Sequence, residues 1–329
     1  MFKTLNLNVD QSIPAQGAVA QHMDVVADLT AKLDQLRLWA EPAGLKTLRR
    51  TVTDLRALHP EPWLTFLGSG DFHHHTLALL ESLDERRLPA EGITLVLIDN
   101  HPDWFCEQPT FHCGNWVSGV LGLPWVKSII LVAQDSQDLR GHQFWAAPWQ
   151  SLCSGRVTLH PYQRAQSLVP FKWTSKVQGV ASARRYPMGT VLQYQTVAAV
   201  GESCFFDELA NRLAGQSIYL SVDKDCLQPE AATTDWEQGC LSLSGLLHGI
   251  RRLRAACGIV GADVCGESAP KPLKGLAKQL DAGRWGQKTP AAAMANDRNA
   301  QTNLAILEAF GVTTSGVETV MEGAALCPG

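Results

Sequence analysis

Six short apolar runs rich in β-branched residues recur along this chain, and helical patterns lie between many of them. The runs fall at 63–69 (WLTFLGS), 93–99 (ITLVLID), 128–133 (SIILVA), 156–160 (RVTLH), 217–222 (SIYLSV) and 258–264 (GIVGADV). Apolar residues at helical spacing mark 74–83, 202–215, 241–256 and 303–311. Strands so nearly continuous in apolar residues predict an α/β fold, a mainly parallel sheet covered by helices on both faces. Residues 14–60 are expected to add helices, including the stretch HMDVVADLTAKLDQLRLWA. The segments 176–200 and 269–290 fit neither pattern. The second reads as an excursion with a short basic helix. No Ser/Gly/Pro linker or internal repeat divides the 329 residues, so one domain over 1–329 is expected.

Composition narrows the function classes. The net charge is -4 and no long basic run occurs, which argues against a nucleic-acid partner. The first residues carry no apolar signal-type region, and no apolar run reaches the ~18 residues of a membrane span. The nine cysteines are odd in number, irregular in spacing and without a C-x-x-C pair. That pattern suits small buried hydrophobes in a reducing cytoplasm better than a disulfide framework or a structural zinc site. Five of the ten tryptophans lie between Trp104 and Trp149, a stretch that either lines a pocket or packs a core.

Parallel α/β sheets bind ligands beyond the carboxyl ends of their strands. Three predicted strand ends carry acid and imidazole together. After ITLVLI come Asp99, His101 and Asp103 in D-N-H-P-D. A spacing of two in extended chain puts all three on one side. Carboxylates crowded there repel or stay protonated unless a cation binds. After SIYLSV come Asp223 and Asp225, again two apart. A D-x-D alone is common; its weight comes from sharing the layout of the first motif. After WLTF comes LGSGDFHHHT, whose glycines allow a tight turn and whose His73, His74 and His75 face the same sheet edge. Oxygen and imidazole donors without thiolate suit Mn²⁺, and Zn²⁺, Fe²⁺ or Ni²⁺ less well.

At this point the residues resemble a known family. D-N-H-P-D at 99–103 is similar to the D-A-H-x-D of the ureohydrolases (arginase, agmatinase, formiminoglutamase). SVDKDCLQP at 221–229 resembles their S-x-D-x-D-x-x-D-P, LGSGDFHHHT their G-G-D-H-S, and GADVCGE at 261–267 their G-x-D-V-x-E. The four motifs keep the family's order between Gly68 and Glu267; the first two are specific and the last two loose. The resemblance implies a three-layer α/β/α fold with a central, mainly parallel eight-stranded sheet, like that of arginases and deacetylases. It implies a binuclear manganese centre. Asp99 and Asp223 would bridge both ions. Asp103 and one of the histidines, His74 or His73 first, would complete one position; His101 and Asp225 would complete the other. It also implies a small cationic substrate and a homo-oligomer.

The departures from the family bear on substrate. Phe72 stands where the G-G-D-H-S histidine belongs. Gln228 replaces a non-ligand aspartate before Pro229. In CGNWVSG (113–119), Val117 replaces the histidine of S-G-N-x-H-G, which leaves His112 as a substitute proton donor. Phe105 replaces the asparagine that meets the α-carboxylate in arginases, so L-arginine is a poor substrate candidate. Glu267 lies one residue beyond the family's guanidinium-binding glutamate. Glu237 and Trp236 fall near its T-P-E-x-G. The expected function is hydrolysis of a C–N bond in a guanidino, amidino or formimino compound by hydroxide generated between the ions. Asp225 would orient the attack and Glu267 would hold the cationic nitrogens. Trp104, Phe105 and Trp116 suggest a less polar substrate tail. An amide hydrolase of deacetylase type, and a metal-binding homologue without catalysis, are the alternatives.

Overall fold

A computed structural model describes residues 2–105, 111–169, 177–269, 271–284, 286–287, 292–312 and 318–321. Cys106, Cys327 and parts of 269–290 lie outside the described residues. The central sheet is built from β1 (Lys3–Asn8), β2 (Val25–Asp28), β3 (Trp63–Phe66), β4 (Ile93–Ile98), β5 (Val126–Val132), β6 (Val157–His160), β7 (Ser217–Asp223), β8 (Gly258–Cys265) and β9 (Glu318–Met321). Their order is β9-β2-β1-β3-β8-β7-β4-β5-β6, and every adjacent pair is parallel. The expected eight strands are thus present, with β9 added outside β2.

The six apolar runs form β3 to β8 because both faces of those strands are covered. Along β4, Leu95 and Leu97 point into one core and Val96 and Ile98 into the other. The first core receives Leu48, Val52 and Leu55 from α1 (Pro42–Leu58) and Leu79 and Leu80 from α2 (His75–Glu81). A further short helix, α3 (Trp116–Val120), buries Trp116, Val117 and Val120 there. The second core receives Phe205, Phe206 and Leu209 from α4 (Glu202–Arg212), Leu246, Ile250 and Leu253 from α5 (Leu243–Ala256), and Ile306 and Leu307 near the end of α7 (Ala292–Ala309). The result is a three-layer α/β/α arrangement. No helix among the described residues is long and apolar enough to cross a membrane.

The amino-terminal region differs from the sequence expectation. Instead of a helix across 22–40, Val25–Asp28 pairs with β1 as strand β2, and only short helical turns follow before Trp39. β1 itself reads poorly because Thr4 and Asn6 interrupt its apolar residues, yet both are buried, and Thr4 Oγ1 hydrogen-bonds Asp24 at 2.9 Å. The segment that resisted reading forms an antiparallel hairpin, Ser182–Tyr186 with Gly189–Gln193, joined to Gln166–Val169. The excursion does contain a helix, α6 (Leu276–Arg284).

Candidate metal centre

The strand order puts the carboxyl ends of β3, β8, β7 and β4 side by side. From β3 the chain turns through Leu67 and Gly68 into a 3₁₀ turn, Gly70–Phe72, capped by Ser69, and His73 follows directly. From β7 a second 3₁₀ turn, Lys224–Cys226, carries Asp225 back toward Asp223. From β4 come Asp99, His101 and Asp103, the last in the left-handed region at φ 46°. The six side chains His73, Asp99, His101, Asp103, Asp223 and Asp225 meet in one cup.

His73 Nδ1 lies 3.2 Å from Asp99 Oδ2, 3.1 Å from Asp103 Oδ2 and 3.5 Å from Asp223 Oδ2. Its other ring nitrogen, Nε2, is 2.9 Å from Ser221 Oγ. The Ser221 hydroxyl gives its one proton to Asp263 Oδ1 at 2.7 Å, and Asp263 also accepts from Tyr219. Ser221 therefore accepts from His73 Nε2–H, and Nδ1 faces three carboxylate oxygens. Burial opposes a charge on His73, but its neighbours, Asp103 and Asp99 among them, outweigh it and raise the imidazole, so positive charge, a proton or a metal ion, is favoured between Nδ1 and the acids.

The backbone prepares the acids in the same sense. Asp99 Oδ1 accepts from the His101 amide at 2.6 Å, and Asp223 Oδ1 accepts from the Asp225 amide at 2.9 Å. In each, the second oxygen is left toward His73, and Asp99 Oδ2 has no hydrogen-bond partner. Asp225 Oδ1 accepts from the Asn100 amide at 3.1 Å, and Oδ2 lies 2.8 Å from His101 Nδ1. Three groups of potential metal donors result, His73–Asp99–Asp103, Asp99–His101–Asp225 and His73–Asp223–Cys265, the first two sharing Asp99. Burial and the neighbouring Asp225 charge raise Asp99 well above the usual carboxylate range. The same two causes lift Asp223 to about 6. Burial opposes a charge on His101, but Asp225 outweighs it and raises the imidazole. Crowded acids of this kind are relieved by divalent cations, and the donor set fits them.

Of the three adjacent histidines, the fold brings His73 to the carboxylates. His74 packs edge-on against His75 and Phe111, with ring centroids 4.7 and 5.3 Å away. Both rings are buried, and their nitrogens find no hydrogen-bond partner among the described residues. Burial lowers His74 well below its ordinary value and His75 to about 3.

Glu267 departs from its expected place as well. Its carboxylate forms a buried ion pair with Lys224 and accepts from Asn303 Nδ2 at 2.7 Å and Gln16 Nε2 at 2.8 Å. Both oxygens are engaged by these internal partners. Lys224 opens the 3₁₀ turn between two cup residues, and its side chain is buried against Glu267, which neutralises it. His112 is buried, which pushes it down to about 4, and its Nδ1 accepts from the Gly114 amide at 3.1 Å. At neutral pH it is an uncharged imidazole protonated on Nε2. Trp104 and Trp116 are fully buried core residues, not an open lining. Trp116 has another use: its Nε1–H donates to Asp103 Oδ2 at 2.7 Å.

A partly separate layer lies over this edge. Trp236 packs with Leu38, Cys113 and Ala282 of α6. A Cβ on Gly70 would lie 3.1 Å from both Asp223 Oδ2 and the Trp236 ring, so the indole sits close above the acids. Asp71 accepts from Arg37 Nε at 2.7 Å, Trp236 Nε1 at 3.1 Å and Gln287 Nε2 at 2.7 Å. Lys278 of α6 donates to the carbonyls of Asp34, Arg37 and Trp39 at 2.7–2.9 Å. The tyrosines needed for a deacetylase-type oxyanion contact are engaged or remote: Tyr219 donates to Asp263, Tyr162 to Glu202, Tyr194 is buried in the core and Tyr186 is exposed on the hairpin.

No protein-family model matches the chain. An uncharacterized protein of Thermotoga maritima is 25% identical over 211 residues, 64% of this chain and 60% of that protein. The chain thus spans less than two thirds of that relative. Among solved structures, arginase from Bacillus caldovelox superposes with a TM-score of 0.57 at 14% identity, covering 95% of this chain and 99% of that one. Arginase from Bacillus subtilis gives 0.55 at 13% identity, covering 94% and 97%. The chain has the fold of the arginases.

Proposed function

We propose that this chain is a divergent ureohydrolase, a metal-dependent hydrolase of a C–N bond in a guanidino, amidino or formimino compound. The observation that carries this reading is His73 Nδ1 turned toward Asp99, Asp103 and Asp223 oxygens. His73, Asp99, Asp103 and Asp223 would hold one divalent ion, and Asp99, His101, Asp223 and Asp225 a second, with Mn²⁺ the first candidate. Bound there, such a pair lowers the pKa of water and polarises a C=N group.

The chain's own residues supply orientation. Asn100 fixes Asp225 from the backbone, and Asp225 is placed to align the attacking water. Trp116 fixes Asp103. His112 serves as a neutral Nε2–H donor toward the departing nitrogen. Because Glu267 is occupied by Lys224, the cationic end of a small substrate is assigned to Glu237. That half-buried residue has its carbonyl 2.8 Å from Asn100 Nδ2, beside the cup. Metal content after reconstitution with Mn²⁺, in wild type and Asp223→Asn, tests the reading together with a turnover panel of guanidino, formimino and amide compounds. About two ions per chain, reduced in the variant, and turnover of a C=N substrate are expected. Zero or one ion, unchanged by the substitution, would transfer support to the non-catalytic homologue.

A further inference from the structure

The parallel register of β7 and β8 pairs Asp223 with Cys265, so the last side chain of β8 stands beside a cup carboxylate. Cys265 Sγ lies 3.0 Å from Asp223 Oδ2. His73, Asp223 and Cys265 each present one potential ligand atom, and the three atoms lie within 4.8 Å of one another. The thiol is 1% exposed. Directly after it the chain leaves through Gly266 at φ +87°, where a Cβ would collide with Asp223 Oδ1 and the Lys224 amide. The neighbouring donor group supports a cation here as well: the buried Asp99 Oδ2, 3.2 Å from the same His73 Nδ1, has no hydrogen-bond partner.

Among the described residues, no other cysteine joins a group of potential metal donors. A residue needed only to fill core volume would be better supplied by valine or alanine than by a sulfur pressed against a carboxylate.

Resting on the binuclear reading above, we propose that Cys265 is a thiolate ligand of the ion held by His73 and Asp223, which raises that position's affinity for Zn²⁺ or Fe²⁺ above what carboxylates and imidazole alone would give. The thiol loses its proton to solvent as the metal–sulfur bond forms, and no electron is transferred. Thiolate and imidazole together favour borderline-soft ions, whereas carboxylates alone favour hard ones. The companion position, Asp99–His101–Asp225, holds no sulfur and stays suited to a harder ion. The two positions are chemically unequal, one built around a thiolate and one around oxygen.

Cobalt(II) titration of the metal-free protein tests this without any substrate. Wild type is expected to develop a near-ultraviolet sulfur-to-cobalt charge-transfer band on binding one cobalt. Cys265→Ser should lose that band while still binding cobalt. Zinc competition with a chromophoric chelator should show affinity at this position falling about tenfold or more in the serine variant. Manganese affinity should change far less. Wild type that binds two cobalt ions with no charge-transfer band would overturn the thiolate assignment and leave the binuclear reading standing. Wild type that binds no cobalt would overturn both. Because the deciding spectrum is that of wild type, poor folding of the variant cannot rescue the idea.

Discussion

The Lys224–Glu267 pair gives the most direct separation of architecture from chemistry. Lys224 is fully buried, and Glu267 is 3% exposed. Replacing Lys224 with methionine keeps the volume and removes the ammonium, leaving a buried carboxylate with only Asn303 and Gln16 as donors. Breaking a buried pair in this way costs about 3–5 kcal/mol. A chain of 329 residues at about 2.1 cal/mol/K per residue has an unfolding entropy near 0.7 kcal/mol/K. The expected fall in Tm is therefore about 4–7 °C. In Lys224→Met/Glu267→Gln no charge is left buried, and the amide oxygen can still accept from Asn303 or Gln16. Most of the loss should return. Calorimetric melting of the three proteins at saturating metal, with turnover measured alongside, decides the matter. A double variant no more stable than Lys224→Met would refute the compensated-pair reasoning. Normal melting with turnover abolished in the double variant would return Glu267 to the substrate, as its sequence position suggests.

Other consequences can be measured in the same preparations. Ser221→Ala removes the acceptor that holds the His73 proton on Nε2, and metal affinity at that position should fall about 10–100-fold, read by chelator competition; an unchanged affinity would show that the tautomer needs no partner. Trp116→Phe deletes a charge-assisted hydrogen bond to Asp103, worth about 1.5–3 kcal/mol, and a lower Tm together with weaker metal retention should follow. Asp235 is raised to about 7 by burial and by Asp71. An acid raised in the folded state supports stability fully below its unfolded pKa of about 4. That support is then lost as pH rises through the folded value, at up to about 1.4 kcal/mol per pH unit. Asp235→Asn should therefore flatten the dependence of Tm on pH between about 4 and 7, and identical profiles would contradict the assignment.

The sheet was legible where burial is complete on both faces. Ile93–Ile98 is buried at every position, so its apolar run has no polar interruption to mistake. β1 was not legible, because Asn6 and Thr4 are polar yet buried through partners elsewhere in the chain. β2 is four residues set among helix formers, too short for periodicity to separate it from its surroundings. In the cup, D-N-H-P-D and D-K-D could be read because their acids directly follow apolar strands, although a 3₁₀ turn and the left-handed Asp103, not extended chain, bring the side chains together. The choice among His73, His74 and His75 could not. It depends on a 3₁₀ turn at Gly70–Phe72 and on Ser221, 148 residues away. The role of Glu267 had a usable signal. A lysine between two acids directly after a buried strand is crowded into the interior, and a buried lysine requires an acid. Cys265 carried none, since a lone cysteine at a strand end reads as packing.

The floor and the cover of this cup come from different parts of the chain. The acids belong to strands fixed by the whole sheet, whereas α6 is fastened largely by Lys278 in its three carbonyls and by Gln287 on Asp71. Residues of the cover can drift without disturbing the carboxylates, and those of the floor cannot. Relatives of this chain can therefore be expected to keep the carboxylate cup while differing in the residues laid over it.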